Sequence, residues 1–434
     1  MEQSLIAAVS GIQANQTYLD VVGSNVANSN TTGYKSQTAQ FTDLLAEQIS
    51  GAASPMAGNQ SAGVNPIAVG SGVRIGAVTE NLSQGAVQQT NVPTDVAIQG
   101  SGYLVAQQYG QQLFTRDGNL TLDANGDLAT QGGGLIQGWQ ANAQGLLNTN
   151  APTGPIHIPT GSTMAANPTT TFGIDGNLPA WNGSGTPTPI STTLNAYDSL
   201  GDAIPVTMTY TPVSGTANSW TVQGSVTSPT GVVSNLWSTP PTITFNPASG
   251  QISSITGATT NTDGSLSLAV GSMPASYAFP PGDTWKFTFA APGTSDAVTQ
   301  YSGQQTIALS TQDGYSSGTL ASYSIGSDGS ITGAFSNGKT LAIGQLALAN
   351  FSNPTGLSDQ GDLMFAQSAN SGAPQIGAPG TGGRGTLVGG ALEGSNVDIS
   401  TQLTDLIVAQ EAYQANTKVV STTAANLTAL TQMA

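Results

Sequence analysis

The residues of this chain whose types and spacing could do chemistry fall into a few short groups. Gly333, Gly338, Lys339 and Thr340 in "GAFSNGKT" fit the phosphate-binding loop pattern, in which backbone N–H groups and a lysine cradle phosphates. That chemistry needs a buried strand before the loop and a helix after it. Here the turn-rich "SIGSDGSIT" precedes, and "LAIGQLALANF", interrupted by Gly344, reads as a strand, so the spacing predicts a hairpin around Asn337-Gly338. "GYSSG" places Ser316 in a nucleophile-elbow pattern, but a serine needs a base. The single histidine, His157, precedes it, whereas that fold places its histidine last. His157 lies in the alternating "GPIHIPT" and reads as a strand residue. Asp123, Asn125 and Asp127 begin a calcium-loop spacing that fails at Leu128 and Gly134, where glycine and glutamate are needed, so a turn is expected. With one histidine and no cysteine, zinc lacks its usual ligands. No cluster of Asp, Glu and aromatic residues marks a sugar cleft. The sequon at Asn30 carries no weight in so Asn/Thr-rich a sequence. The expectation is a chain with no catalytic, cofactor-binding or metal-binding residues and no cofactor.

Composition points the same way. The 434 residues suffice for two or three domains. Only 7% are charged, so Gly, Ser, Thr, Asn and Gln must supply the surface, giving neutral polar exteriors. Seven basic residues against 23 acidic ones give a net charge of -16, which makes nucleic acid and anionic membrane poor partners. The beginning, "MEQSLIAAVSGIQ", has an acidic residue where a secretory signal is basic, and Ser10 and Gly11 break its apolar run, so no cleaved signal is expected. No stretch reaches the roughly 18 to 20 apolar residues of a membrane-spanning helix, and no membrane insertion is expected.

The elements that would position any site are of two kinds. Leu5, Val9, Ile12, Gln16, Leu19, Gly23 and Val26 follow alternating spacings of about four and three, a heptad seam flanked by Val22. The seam ends in the polar "NVANSNTTGYKSQ", where Asn28, Asn30, Thr31, Thr32, Gly33 and Tyr34 read as a hinge. At the other end Ile399, Leu403, Leu406, Gln410, Tyr413, Thr417, Val420, Ala424 and Leu427 form one stripe, with Ser395 and Asp398 placed as a capping box. A helix over 399–427 is about 42 Å long. The N-terminal helix, shorter and interrupted by Gly11 and Gly23, covers only part of that stripe. Isolated helices are marginal in water, so both are expected to order when copies of the chain assemble.

Between the helices the period changes to two. Ile204, Val206, Met208 and Tyr210 alternate with polar or Pro positions, as do Trp285, Phe287 and Phe289, and Trp220 and Val222. Asn125-Gly126, Asp263-Gly264, Asp328-Gly329 and Asn337-Gly338 suit tight hairpins. Linkers are expected at 51–72, 148–155 and 377–385. The resulting expectation is a multidomain, mainly β protein: two all-β domains plus N- and C-terminal α-helices forming a coiled-coil-like inner domain. Residues 1–70 and 385–434 would be the terminal helical part with an extended linker, 71–145 and 307–384 a discontinuous β domain, and 146–306 an inserted outer β domain.

Two long segments carry a family resemblance. "SGIQANQTYLDVVGSNVANSNTTGYK" resembles the N-terminal signature of the rod and hook axial proteins of the bacterial flagellum, and "LEGSNVDISTQLTDLIVAQEAYQANTKVV", residues 392–420, resembles their C-terminal one. "NAYDSLGDAIPVTMTY", 195–210, and the segment 313–357 look like hook segments in particular; about 215–306 matches nothing recognisable. The resemblance implies an extracellular, curved, flexible tube that acts as a universal joint between motor and filament. It also implies export without cleavage through a type III apparatus, a homopolymer, and neighbours among rod, hook-cap and hook–filament junction proteins. Residues 396–434 would be the partner helix of the first one. Two alternatives stand beside this: a distal rod subunit, which shares both terminal signatures but forms a straight shaft, and, from a different class, a secreted carbohydrate-acting enzyme built on the inserted domain.

Overall fold

The computed structural model describes residues 2–52, 54, 63–142, 144–161, 163–228, 231–270, 277 and 284–433. The chain divides into two compact units. One comprises Met1–Pro159, Tyr323–Gly333 and Leu341–Ala434, the other Thr160–Ser322 and Ala334–Thr340.

In the first unit α1 (Glu2–Ala27) and α2 (Ile399–Met433) pack along one another. After the hinge, strand Gln37–Asp43 pairs antiparallel with Val73–Glu80, with a bulge between Gln40 and Phe41, and Glu47–Ser50 pairs with Ile67–Val69. Where it is described, the stretch expected to be a linker at 51–72 thus carries a strand of a β arm; residues 53 and 55–62 lie outside the described residues. The arm leans on α1: Tyr18 meets Phe41 edge-on at 5.6 Å, and the Ser10 hydroxyl accepts the Val73 N–H.

The β part of this unit is built around strand Tyr103–Gln108, which pairs with Gln111–Thr115, Leu135–Gln140 and Leu348–Asn350. Tyr103, Val105, Phe114, Trp139, Ala349 and Phe351 make one of its buried clusters. The other two expected linkers are docked as well. Gly154–Pro155 pairs with Leu135–Gln140, and the Arg384 guanidinium folds back onto the carbonyls of Ala378 and Gln375. Proline and glycine are abundant there because the turns are tight, so composition alone could not separate a turn from a tether.

The second unit is all β. One sheet has the strand order Thr259–Thr260, Leu266–Ala269, Lys286–Phe289, Thr171–Asp175, Ala308–Gln312. The other runs Ile190–Tyr197, Ala203–Pro212, Ser219–Thr227, Thr242–Phe245, Ile252–Ile255. Both contribute to one core, in which Ile204, Val206, Met208 and Tyr210 are fully buried, as their alternation requires, and Phe172 stacks on Phe287 at 4.7 Å. The opposite face carries hydroxyls: Ser191 meets Thr209 at 3.1 Å and Thr193 meets Thr207 at 3.0 Å across paired strands. The mainly β class with terminal helices is therefore the observed one.

The chemistry-like motifs are turns. Between strands Ser330–Phe335 and Thr340–Leu346, Gly338 (φ 76°) donates its N–H to the Phe335 carbonyl, so the phosphate-loop pattern is a hairpin tip. Ser316 is followed by strand Gly318–Ile325 where a nucleophile elbow needs a helix. Asp123 caps its own turn, its carboxylate accepting the N–H groups of Asn125 and Asp127, and His157 Nδ1 lies 3.1 Å from Asp127.

Candidate self-assembly site

The two helices meet through small and polar side chains. Ala8, Ala14 and Ala409 are buried, and Gly11 faces Asn416 so closely that a Cβ on it would stand 2.8 Å from the Asn416 amide. Gly11 and Gly23 do not interrupt α1, contrary to the expectation from sequence; Gly11 is a point of close approach. Burial, together with the nearby Asp405 carboxylate, pushes the Tyr18 phenol up from its ordinary pKa. Further along, Asn25 Nδ2 donates to Gln402 Oε1 at 2.8 Å. The start of α2 also differs from the expected box. Asp398, directly before the first turn, is itself the cap: its carboxylate accepts the N–H groups of Ser400 and Thr401, which holds it below the usual carboxylate range.

Apart from Val21 and Val22, which are buried, the large apolar side chains described in the two helices are only partly covered or exposed. Among the residues singled out by heptad spacing, Val22 is buried. Leu5, Ile12, Leu19, Val26, Leu406, Tyr413 and Val420 are half-buried, and Val9, Ile399, Leu403 and Leu427 are exposed. Ile6, Ile407, Val408 and Val419 are exposed too, and single-stripe reading missed them. Ile407 and Val408, two turns into α2, are 59% exposed, where a helix packed on its own core would be covered. A count of apolar residues around the whole circumference, rather than along one seam, would have found this second stripe.

The hinge is a folded joint. Asn28 donates from its side chain to the Ser24 carbonyl and accepts from Thr31, and Thr32 donates to Asp117, while Asn30 is exposed. Gly33, at φ 72°, donates to the Glu393 carbonyl, and a Cβ there would come within 3.0 Å of the Arg116 and Asp117 backbone. Tyr34 donates its hydroxyl to Asn25 Oδ1. Asn25 also accepts from the Gln37 N–H and donates to the Gln37 carbonyl, so one amide fastens α1, the hinge and α2.

Beside it lies a buried ionic cluster that sequence reasoning did not identify. Lys35 Nζ is 2.6 Å from Glu393 Oε1 and donates to the Ser83 carbonyl, and Arg116 approaches Glu393 Oε2 at 3.5 Å and donates to the Gly100 carbonyl. All three side chains are at most 5% exposed. Burial lowers the Lys35 pKa despite its partner. Asn396 extends the joint, accepting from Ser36 N–H and donating to the Asn81 and Ser83 carbonyls. The available signal was scarcity: in a chain with so few charges, Lys35 and Glu393 each sit inside one of the two terminal signatures. Below the hinge, Glu80, Asp117, Asp359 and Asp362 line an open cleft of about 710 Å³. Burial raises Asp117, and burial with the nearby Asp359 charge raises Glu80.

Four family descriptions match consecutive parts of the chain. They are a flagellar basal body rod protein model (residues 5–35), the flagellar hook protein FlgE/F/G D1 domain (97–178), the flagellar basal body protein FlaE D2 domain (181–315), and the flagellar basal body rod FlgEFG protein C-terminal region (388–433). The terminal two are common to rod and hook, so full-length relatives decide. The flagellar hook protein FlgE of Treponema pallidum is 35% identical over 97% of both chains. The chain belongs to the flagellar hook protein family. Another hook protein, FlgE of Salmonella typhimurium, is 33% identical over 96% of this chain and 97% of its own. The crystal structure of the Helicobacter pylori hook protein FlgE2 shares the fold, with a TM-score of 0.50 at 15% identity over 69% of this chain and 98% of that one. Hook protein family membership makes this a hook subunit, a structural protein that polymerises with copies of itself in the flagellum. Among the described residues no helix is long and apolar enough to cross a membrane.

Proposed function

We propose that this hook subunit joins its neighbours through the outward apolar side chains of α1 and α2, with Asn28 to Tyr34 as the joint that sends the chain from the helices into the β region. The observation that carries this reading is the uncovered apolar surface of the helix pair: Ala8, Ala14, Val21, Val22 and Ala409 are buried, while Ile6, Ile399, Leu403, Ile407, Val408 and Val419 are outside. Burying each large apolar side chain against a neighbour gains about 1.5–3 kcal/mol, while the helices alone are marginal. Leu5, Val9, Ile12, Leu19, Val22, Val26, Leu406, Tyr413, Val420 and Leu427 complete the apolar surface shared within and between subunits. In the assembled tube the helices form the inner wall. The β region is divided into a discontinuous domain and an inserted outer one; strand Gly154–Pro155 pairs inside the first and Ala308–Gln312 inside the second, so the inserted part is better bounded at 160–322 than at 146–306.

The tube is curved and flexible, a universal joint outside the cell, exported through the type III apparatus without a cleaved signal. It contacts rod, hook-cap and hook–filament junction proteins, takes no cofactor and catalyses no reaction. Deleting residues 396–434 tests the assembly site: sedimentation is expected to show loss of large polymers, and persistent polymers would contradict it. Circular dichroism tests the ordering: helix content is expected to rise on polymerisation, and equal content in monomer and polymer rejects it. Electron micrographs of the full-length polymer should show curved tubes; straight rods would favour the shaft-forming relatives.

A further inference from the structure

Asparagine followed by glycine occurs three times in this chain, at Asn125-Gly126, Asn182-Gly183 and Asn337-Gly338. Such a pair carries a reaction of its own. The glycine nitrogen can attack the carbonyl carbon of the asparagine side chain, because no Cβ on the glycine stands in the way. The attack needs a glycine N–H that is free and a carboxamide nitrogen that is free to leave. It gains from donors at the side-chain oxygen, where negative charge develops.

The fold holds two of the pairs against it. Gly126 donates its N–H to the Asp123 carbonyl at 3.1 Å, and Asn125 Nδ2 donates to the Asp123 carboxylate at 3.3 Å. Gly338 donates to the Phe335 carbonyl at 2.9 Å, and Asn337 Nδ2 to the Ser316 carbonyl at 2.7 Å. Asn182-Gly183 follows strand Asn177–Pro179 of the second unit, and there the pattern reverses. Among the described residues neither the Gly183 N–H nor Asn182 Nδ2 has an acceptor. Asn182 Oδ1 instead accepts twice, from the Ser184 N–H at 3.0 Å and the Ser184 hydroxyl at 2.9 Å. The backbone on either side is pinned: the Trp181 carbonyl accepts from the Asn218 N–H at 2.9 Å, and the Gly183 carbonyl from the Gly215 N–H at 3.0 Å. Asn182 is exposed, so water reaches it.

We propose that Asn182 is a site of self-catalysed deamidation, in which the Gly183 nitrogen closes an imide ring on Asn182 Cγ while Ser184 holds the developing oxyanion. The bond between Gly183 N and Cγ forms, the Cγ–Nδ2 bond breaks, and Nδ2 leaves as ammonia with the proton that Gly183 N gives up. Water then opens the ring at either carbonyl, giving aspartate or its β-linked isomer, isoaspartate. No cofactor or oxidant enters, since ammonia is exchanged for water. With the carbonyls of Trp181 and Gly183 pinned, the carboxamide and the attacking nitrogen stay together on one small turn, which spares the entropy of bringing them into contact. Each conversion adds a negative charge to the surface of a chain already at net charge -16. The β-linked product also lengthens the backbone by one carbon between the pinned carbonyls, which strains their two hydrogen bonds.

The test follows the full-length chain in neutral buffer over weeks, digesting samples at intervals and separating asparagine, aspartate and isoaspartate peptides by mass and elution. In the folded chain Asn182 is expected to convert about tenfold or more faster than Asn125 and Asn337. In chain unfolded by urea the three should convert at similar rates. Equal rates in the folded chain, or earlier conversion at Asn125 or Asn337, overturn the proposal. A lead for Asn182 that persists in urea overturns it too, because the cause would then be local sequence and not the fold. A product of aspartate alone would mean direct hydrolysis without the ring, and the mechanism would fall. Ser184→Ala removes one donor from an exposed turn and should slow conversion at Asn182 about two- to tenfold, with the other two pairs unaffected. An unchanged rate overturns the role given to Ser184.

Discussion

At the residue scale, two carboxylates near the hinge have opposite energetic signs. Glu393 accepts from Lys35, Arg116 and the Gly85 N–H, so Glu393→Gln leaves a buried ammonium and guanidinium without a counter-charge. The expected loss is about 3–5 kcal/mol, read from denaturant unfolding. Glu80 costs stability instead, because burial and Asp359 disfavour its charge. A carboxyl whose folded pKa is raised contributes stability that is full below its unfolded value and lost as pH rises through the folded one. Glu80→Gln should therefore stabilise at pH 7, with the gain fading toward about pH 4. A gain independent of pH would mean that shape rather than charge is responsible. Neither role was legible in sequence, since Glu80, Asp359 and Glu393 come together only through the fold.

At the element scale, periodicity located both helices and the alternating strands of the second unit, because a 3.6 or 2.0 repeat is imposed by local geometry. It did not reveal which face of each helix meets the other. Gly11 was read as an interruption, yet it faces Asn416 inside an unbroken helix. Heptad reasoning assumes that the largest apolar residues point at the nearest partner, yet here small residues such as Ala8, Ala14 and Ala409 are buried while Val9, Ile399, Leu403 and Leu427 are exposed. The difference has a measurable consequence. Gly11→Ala asks only the end of the Asn416 side chain to move, and it adds helix propensity of up to about 1 kcal/mol, so it should be close to neutral. Gly11→Leu must push α2 away, at a cost of about 1–3 kcal/mol, visible as a lower melting temperature of the polymer. Equal effects of the two would show that α1 and α2 do not approach closely at this point.

At the scale of the whole molecule, composition was the most informative feature, because it bears on what copies can do to one another. Of the seven basic residues, Lys35 and Arg116 are spent on Glu393 and Arg384 on nearby carbonyls, leaving Arg74, Lys286, Lys339 and Lys418 at the surface of a chain with net charge -16. Subunits so charged repel as they gather, and on the proposed reading the attraction that overcomes this comes from the apolar helix faces. Salt acts on the two contributions differently. Raising ionic strength from about 0.01 M to about 0.15 M shortens the screening length from about 30 Å to about 8 Å, which weakens the repulsion and leaves apolar burial nearly untouched. The critical concentration for polymerisation should therefore fall with added sodium chloride over that range, as measured by sedimentation at each salt. If ion pairs between subunits held the tube together, the same titration would raise it, and the assignment of cohesion to uncharged surfaces would have to be abandoned.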